Sequence, residues 1–278
     1  MSPTDVRRKT VKVSDAKHLD HWRKGHVPEL PHIDEASEGT DVVLPKGWLT
    51  VQRTGVIEAG RAFTEGTACR VAIAVTGAKN PGGKAESGSP IGMEEEIYRC
   101  SDIHRHLHAY LQTGQNKMYE LKADNNAGCA ALFSGVSYIR QSSEYGYAFT
   151  DDDGHVKMDT IFARLPDSPE QEDRPEGTSE AWNVDSSQRV SHYTNESDFI
   201  KTYLTFCAIC EAAKDCEALI LEAFGQTHPQ WGMIHALVMA LAGYTSTFKT
   251  VIIAVPSEIG EKWELYCQHV QVLAGEVF

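Results

Sequence analysis

Three short apolar runs limit most strongly how this 278-residue chain can fold. They lie in RVAIAVTGA at 70–78, EALILEAFG at 217–225 and KTVIIAVPS at 249–257. The first ends in a Gly turn, and its unbroken apolar character suits a strand buried on both faces of a sheet. The other two alternate with helical segments: DFIKTYLTFCAICEAAKD before EALILEAFG, MIHALVMALAGY between the two, and a closing helix after the last. Alternation of this kind produces a mostly parallel sheet covered by helices. SGVSYIRQ and TIFARLP read as two further strands around the turn-rich DDDGH. Residues 93–112 read as one helix, with Ile97, Ile103, Leu107 and Leu111 at near-helical spacing. Its acidic start, Glu94 to Glu96, suits the positive end of a helix dipole.

The pattern predicts a polar N-terminal arm over 1–46 and one α/β domain over 47–278, interrupted by an acidic, mobile surface excursion at 167–197. No stretch approaches the roughly 18 consecutive apolar residues of a membrane span. The basic N-terminus has no apolar run behind it and is not a secretory signal. Seven cysteines, an odd number scattered through apparent helices and strands, point to reduced thiols rather than a disulfide framework. The chain is therefore expected in the cytoplasm or nucleus, of its own cell or of a host cell into which it is delivered. A formal charge of −13 argues against generic nucleic-acid binding and favours a cationic protein partner.

Ligands of such sheets bind beyond the carboxyl ends of the strands. That places interest on the loop after Val75, the loop after Phe224 and the turn near Gly55. The first loop is TGAKNPGGKAESGSPIG, and it runs into MEEEIYR. Gly82 and Gly83 would let backbone amides approach a phosphate or sugar, and Asn80 offers both a donor and an acceptor to a ribose diol. A carboxylic acid at a helix start beside a sugar is a candidate general acid. The residues alone also fit a plain turn followed by a capped helix.

This stretch resembles the macrodomain-type poly(ADP-ribose) glycohydrolases, in particular their microbial branch. There, Asn-Pro-Gly-Gly-Gly is followed about a dozen residues later by Gln-Glu-Glu; here the blocks are Asn80-Pro81-Gly82-Gly83-Lys84 and Met93-Glu94-Glu95. Gly55-Val56-Ile57-Glu58 is similar to a family segment whose Ile-Glu contacts adenine. SGVSYIRQ, DDDGH, ALILEAFG and TVIIAVP follow the family's order, so the resemblance spans about residues 48–256. It implies a macrodomain-like mixed, mostly parallel sheet with helices on both faces. It also implies that Glu95 is catalytic, Glu94 holds the ribose and Asn80 contacts the terminal ribose. Adenine would sit near Ile57 and Glu58, and the diphosphate against Gly82–Gly83 and the loop Gly225, Gln226, Thr227 and His228.

The sequence departs from the family at Lys84, at Met93 and in the loop after Phe224, which is poorer in glycine but offers Thr227 and His228 as donors. One extra residue separates the two blocks, so the working pair is Glu94–Glu95 or Glu95–Glu96. The first register matches Ile97 and Arg99 to the family's Leu and Arg. Helical residues diverge by about 100°, so the three glutamates cannot all face one sugar. The implied activity is release of ADP-ribose from poly- or mono-ADP-ribosylated protein, with arginine a linkage that suits the charge, and without metal or cofactor. The alternative is a non-catalytic ADP-ribose reader. His104 and His108 are spaced for a zinc pair but lack a specified third ligand. Cys207 and Cys210 suit a packed helix face.

Overall fold

The structure is a computed structural model that describes residues 47–77, 92–111, 130–151, 154–165, 196–224 and 230–256, with Cys267 and Val270. The predicted arm and acidic excursion lie outside these residues, as does most of the closing helix. Six strands, β1 (Leu49–Gln52), β2 (Val71–Thr76), β3 (Ala130–Tyr138), β4 (Val156–Ala163), β5 (Ala218–Glu222) and β6 (Thr250–Ala254), form one sheet in the order β1-β6-β5-β2-β4-β3. Every pairing is parallel except β3 against β4. The mixed, mostly parallel sheet is the one the alternation predicts.

Side chains along each strand divide with a period of two. Ala72, Ala74, Leu219, Leu221, Val251 and Ile253 pack into one cluster with Phe206 and Ile209 of α4 (Glu196–Ala212) and Ile234 and Leu237 of α5 (Gln230–Ala242). Ile73, Val75, Ile220 and Ile252 pack into the other with Val56 and Ile57 of α1 (Val56–Gly66), Ile97 of α2 (Met93–Cys100) and Ile103 and Leu107 of α3 (Ile103–Leu111). Helices therefore cover both faces, and burial of these aliphatic side chains, about 25 cal/mol per Å² removed from water, drives the assembly. A Cβ on Gly60 would come within 2.5 Å of Met158 Sδ and 2.9 Å of Ile73 Cγ2, which is why α1 can lie so close to the sheet. No helix among the described residues is long and apolar enough to cross a membrane.

The single helix read over 93–112 is two. It breaks at Ser101 and Asp102, where Ser101 pairs antiparallel with Tyr138. Asp102 exchanges backbone and side-chain bonds with Ser137: its amide donates to the Ser137 carbonyl at 3.0 Å, and its Oδ1 accepts the Ser137 amide at 2.7 Å. Ser and Asp offer the backbone such alternatives to helix, and pairing with the end of β3 takes up the groups that a continuous helix would have used.

The topology fixes where a ligand can enter. The chain leaves β2 toward α2, in the second cluster, and leaves β5 toward α5, in the first. β2 and β5 are neighbours, in register from Val71 opposite Ala218 to Ala74 opposite Leu221. Two adjacent parallel strands whose connections depart to opposite faces leave a crevice at their carboxyl ends.

Candidate functional site

Two helices point their N-termini toward this edge, and they are built alike. Gly55 is the N-cap of α1 and Gly92 that of α2, and each helix carries a glutamate at its third position, Glu58 and Glu95. Each glutamate folds back over its own glycine. A Cβ on Gly55 would meet Glu58 Oε2 at 2.7 Å, and one on Gly92 would meet Glu95 Oε2 at 2.5 Å. The absence of a side chain at both caps makes room for the carboxyl group of the glutamate three residues on.

Glu94, Glu95 and Glu96 are all buried, with 1%, 7% and 4% of their surface exposed. Their roles differ. Glu96 accepts the amide of Ser143 at 2.5 Å and the Tyr147 hydroxyl at 2.6 Å, with Arg99 Nη1 at 4.0 Å. Glu58 Oε1 accepts the amide of Ser142 at 3.1 Å. The two helices thus grip one loop, residues 140–149, through carboxylates that accept the amides of adjacent loop residues, Ser142 and Ser143. Burial, followed by Glu96 itself, pushes the Tyr147 phenol up from its ordinary value. Ile57 points into the core at 1% exposure.

Arginines anchor the same loop from below. Arg61 Nη2 donates to the carbonyls of Tyr138 at 2.9 Å and Arg140 at 2.8 Å, and Nη1 donates to Gly154 at 3.1 Å. Burial lowers the Arg61 guanidinium from its usual range, against the pull of nearby Cys100 and Glu58. The Arg140 guanidinium lies 3.3 Å from the centroid of the Phe149 ring and donates to the Tyr147 carbonyl at 2.5 Å. The contacts of Glu58, Arg61 and Glu96 with this loop are not legible from the sequence, because each joins residues far apart in the chain.

At the crevice itself stands a residue that the sequence reading treated only as the end of a strand. Glu222 closes β5, is 9% exposed, and accepts the hydroxyl of Thr76, the last residue of β2. Its Oε2 is buried and has no partner among the described residues. Burial raises its carboxyl to about 7, against the downward pull of bonds from the Thr76 hydroxyl and main chain. An acid interrupting the apolar run ALILEAF was the available signal.

Asn80, Gly82, Gly83, Gly225, Gln226, Thr227 and His228 lie outside the described residues. Their loops spring from Gly77, whose amide donates to the Ala163 carbonyl at 2.8 Å, and from Phe224 after β5. Cys207 and Cys210 lie within the core cluster, where burial pushes both thiols up, as the packed-helix reading requires.

No family model matches the chain, and no curated protein matches it in sequence. Solved structures do. The poly(ADP-ribose) glycohydrolase of Thermomonospora curvata superposes with a TM-score of 0.60 at 16% identity, over 99% of each chain. The same enzyme bound to the inhibitor ADP-HPD gives 0.60 at 14% identity, also over 99% of each chain. The Deinococcus radiodurans glycohydrolase in complex with ADP-ribose gives 0.53 at 17% identity, over 83% of this chain and 85% of that one. The chain has the fold of these glycohydrolases. The likeness extends through the whole sheet with its helices on both faces, and it matches the macrodomain-like architecture implied by the sequence motifs. Within this fold, the described part of the candidate site comprises the start of α1, the start of α2 and the carboxyl ends of β2 and β5.

Proposed function

We propose that the chain is an ADP-ribosyl hydrolase that cleaves the glycosidic bond between ADP-ribose and its acceptor. The observation that carries this reading is the pair of buried carboxylates, Glu94 and Glu95, at the start of the helix that follows the β2 loop, in a glycohydrolase fold. Glu96 is committed to Ser143 and Tyr147, which favours the Glu94–Glu95 register. ADP-ribose and ADP-HPD, bound in the glycohydrolases of the same fold, indicate the class of ligand.

In this reading Asn80 holds the distal ribose together with Glu94. Adenine lies near Ile57 and Glu58. The diphosphate rests on Gly82–Gly83 and on Gly225, Gln226, Thr227 and His228. Glu95 donates its proton to the leaving atom as the C1″ bond breaks and the ribose gains oxocarbenium character. Water then bonds to C1″ and returns a proton to the same carboxylate. The acceptor is a ribosyl hydroxyl of poly(ADP-ribose) or a protein side chain. Arginine suits a chain of charge −13 best among the latter.

The test is release of free ADP-ribose from poly-, Ser-, Glu- and Arg-linked substrates in parallel. Release from at least one is expected. If the folded protein binds ADP-ribose but releases none, Glu95 has no chemical task and the chain is a reader.

A further inference from the structure

The crevice between β2 and β5 holds a carboxyl group for which the hydrolytic reading has no use. Glu222 sits at the carboxyl end of β5, and its Oε1 is held by the hydroxyl of Thr76 at the end of β2. The two residues close adjacent strands at the point where the connections part to opposite faces, which is where ligands of such sheets bind. Its Oε2 is buried and has no partner among the described residues. A buried polar atom without a partner is destabilising unless something else satisfies it.

We propose that Glu222 is a specificity-determining residue that, as a neutral carboxyl, donates a hydrogen bond from Oε2 to the diphosphate of ADP-ribose. The inference rests on the ADP-ribose reading above and adds to it a proton that the complex must contain. Phosphate oxygens only accept, so a carboxylate facing them has nothing to donate and adds like charge, whereas a carboxylic acid has one donor. Because Thr76 donates to Oε1, the proton belongs on Oε2. From β2 the group meets the Thr76 hydroxyl and main chain, and on the β6 side the backbone register partner of Glu222 is Ala254, which carries no titrating group. No charged side chain among the described residues perturbs it; burial alone raises it, to about 7. The protonated form is thus present near neutrality and is lost just above it.

Titration calorimetry of ADP-ribose from pH 5.5 to 8.5, in buffers of differing ionisation enthalpy, tests this. The folded protein is expected to bind about tenfold more weakly at pH 8 than at pH 6, and to take up a proton on binding above neutrality. Glu222→Gln keeps a donor without a titrating group, so the tenfold fall is expected to shrink to what the other groups of the site, His228 among them, contribute. Thr76→Val removes a bond that holds the carboxyl down, and is expected to shift the fall in affinity to higher pH. A flat profile for the unaltered protein, or the same slope in Glu222→Gln, overturns the proposal. If folded protein of either kind binds no ADP-ribose at any pH, the ADP-ribose reading fails first and this inference with it.

Discussion

At the scale of single residues, the three consecutive glutamates of α2 show how one charge run divides its work. Glu96 is a clamp: removing it as Glu96→Ala strips the acceptor from the Ser143 amide and the Tyr147 hydroxyl. The expected effect is a loss of about 1–3 kcal/mol in denaturant unfolding. Glu222 makes the stability itself depend on pH. Its folded-state value of about 7 lies above the ordinary 4.5, so the folded protein holds this proton more tightly than the unfolded chain. Its contribution is complete below about pH 4.5 and is lost as pH rises through 7, a change of up to about 3 kcal/mol. Glu222→Gln has no such titration. Relative to the unaltered protein, it is expected to gain stability between pH 5 and pH 8 in urea unfolding; an unchanged difference would place the carboxyl in an ordinary, hydrated setting.

At the scale of elements, β2, β5 and β6 were legible because each is a short apolar run, and the last two alternate with longer helical segments. The start of α2 was legible from its glutamates. The break at Ser101–Asp102 was not, because the apolar spacing of Ile97, Ile103 and Leu107 continues across it while the backbone bonds go to Ser137 and Tyr138. The loop 140–149 was equally hidden, since Glu58, Arg61 and Glu96 reach it from far along the chain. The glycine at position 60 was unremarked in sequence yet sets the spacing of α1 from the sheet. Gly60→Ala forces a Cβ against Met158 and Ile73 and is expected to destabilise by about 1–3 kcal/mol, read as a lower thermal midpoint. No change there would mean that α1 can lift away freely.

At the scale of the whole molecule, a sheet that splits its connections at β2 and β5 brings the start of α2 and the end of β5 to one edge, although 126 residues of sequence separate Glu96 from Glu222. In the proposed reading Glu95 serves the chemistry and Glu222 the ligand affinity, so substitution separates the two. The central claim is that Glu95 transfers a proton to the leaving atom. Its most direct test compares the unaltered protein with Glu95→Gln on the substrate that is turned over fastest, measuring both the ADP-ribose release rate and the ADP-ribose dissociation constant. The account predicts a fall in turnover of at least about 10²-fold with affinity kept within a few fold. Turnover that survives in Glu95→Gln, or is lost instead in Glu96→Gln while that variant remains folded, would contradict it.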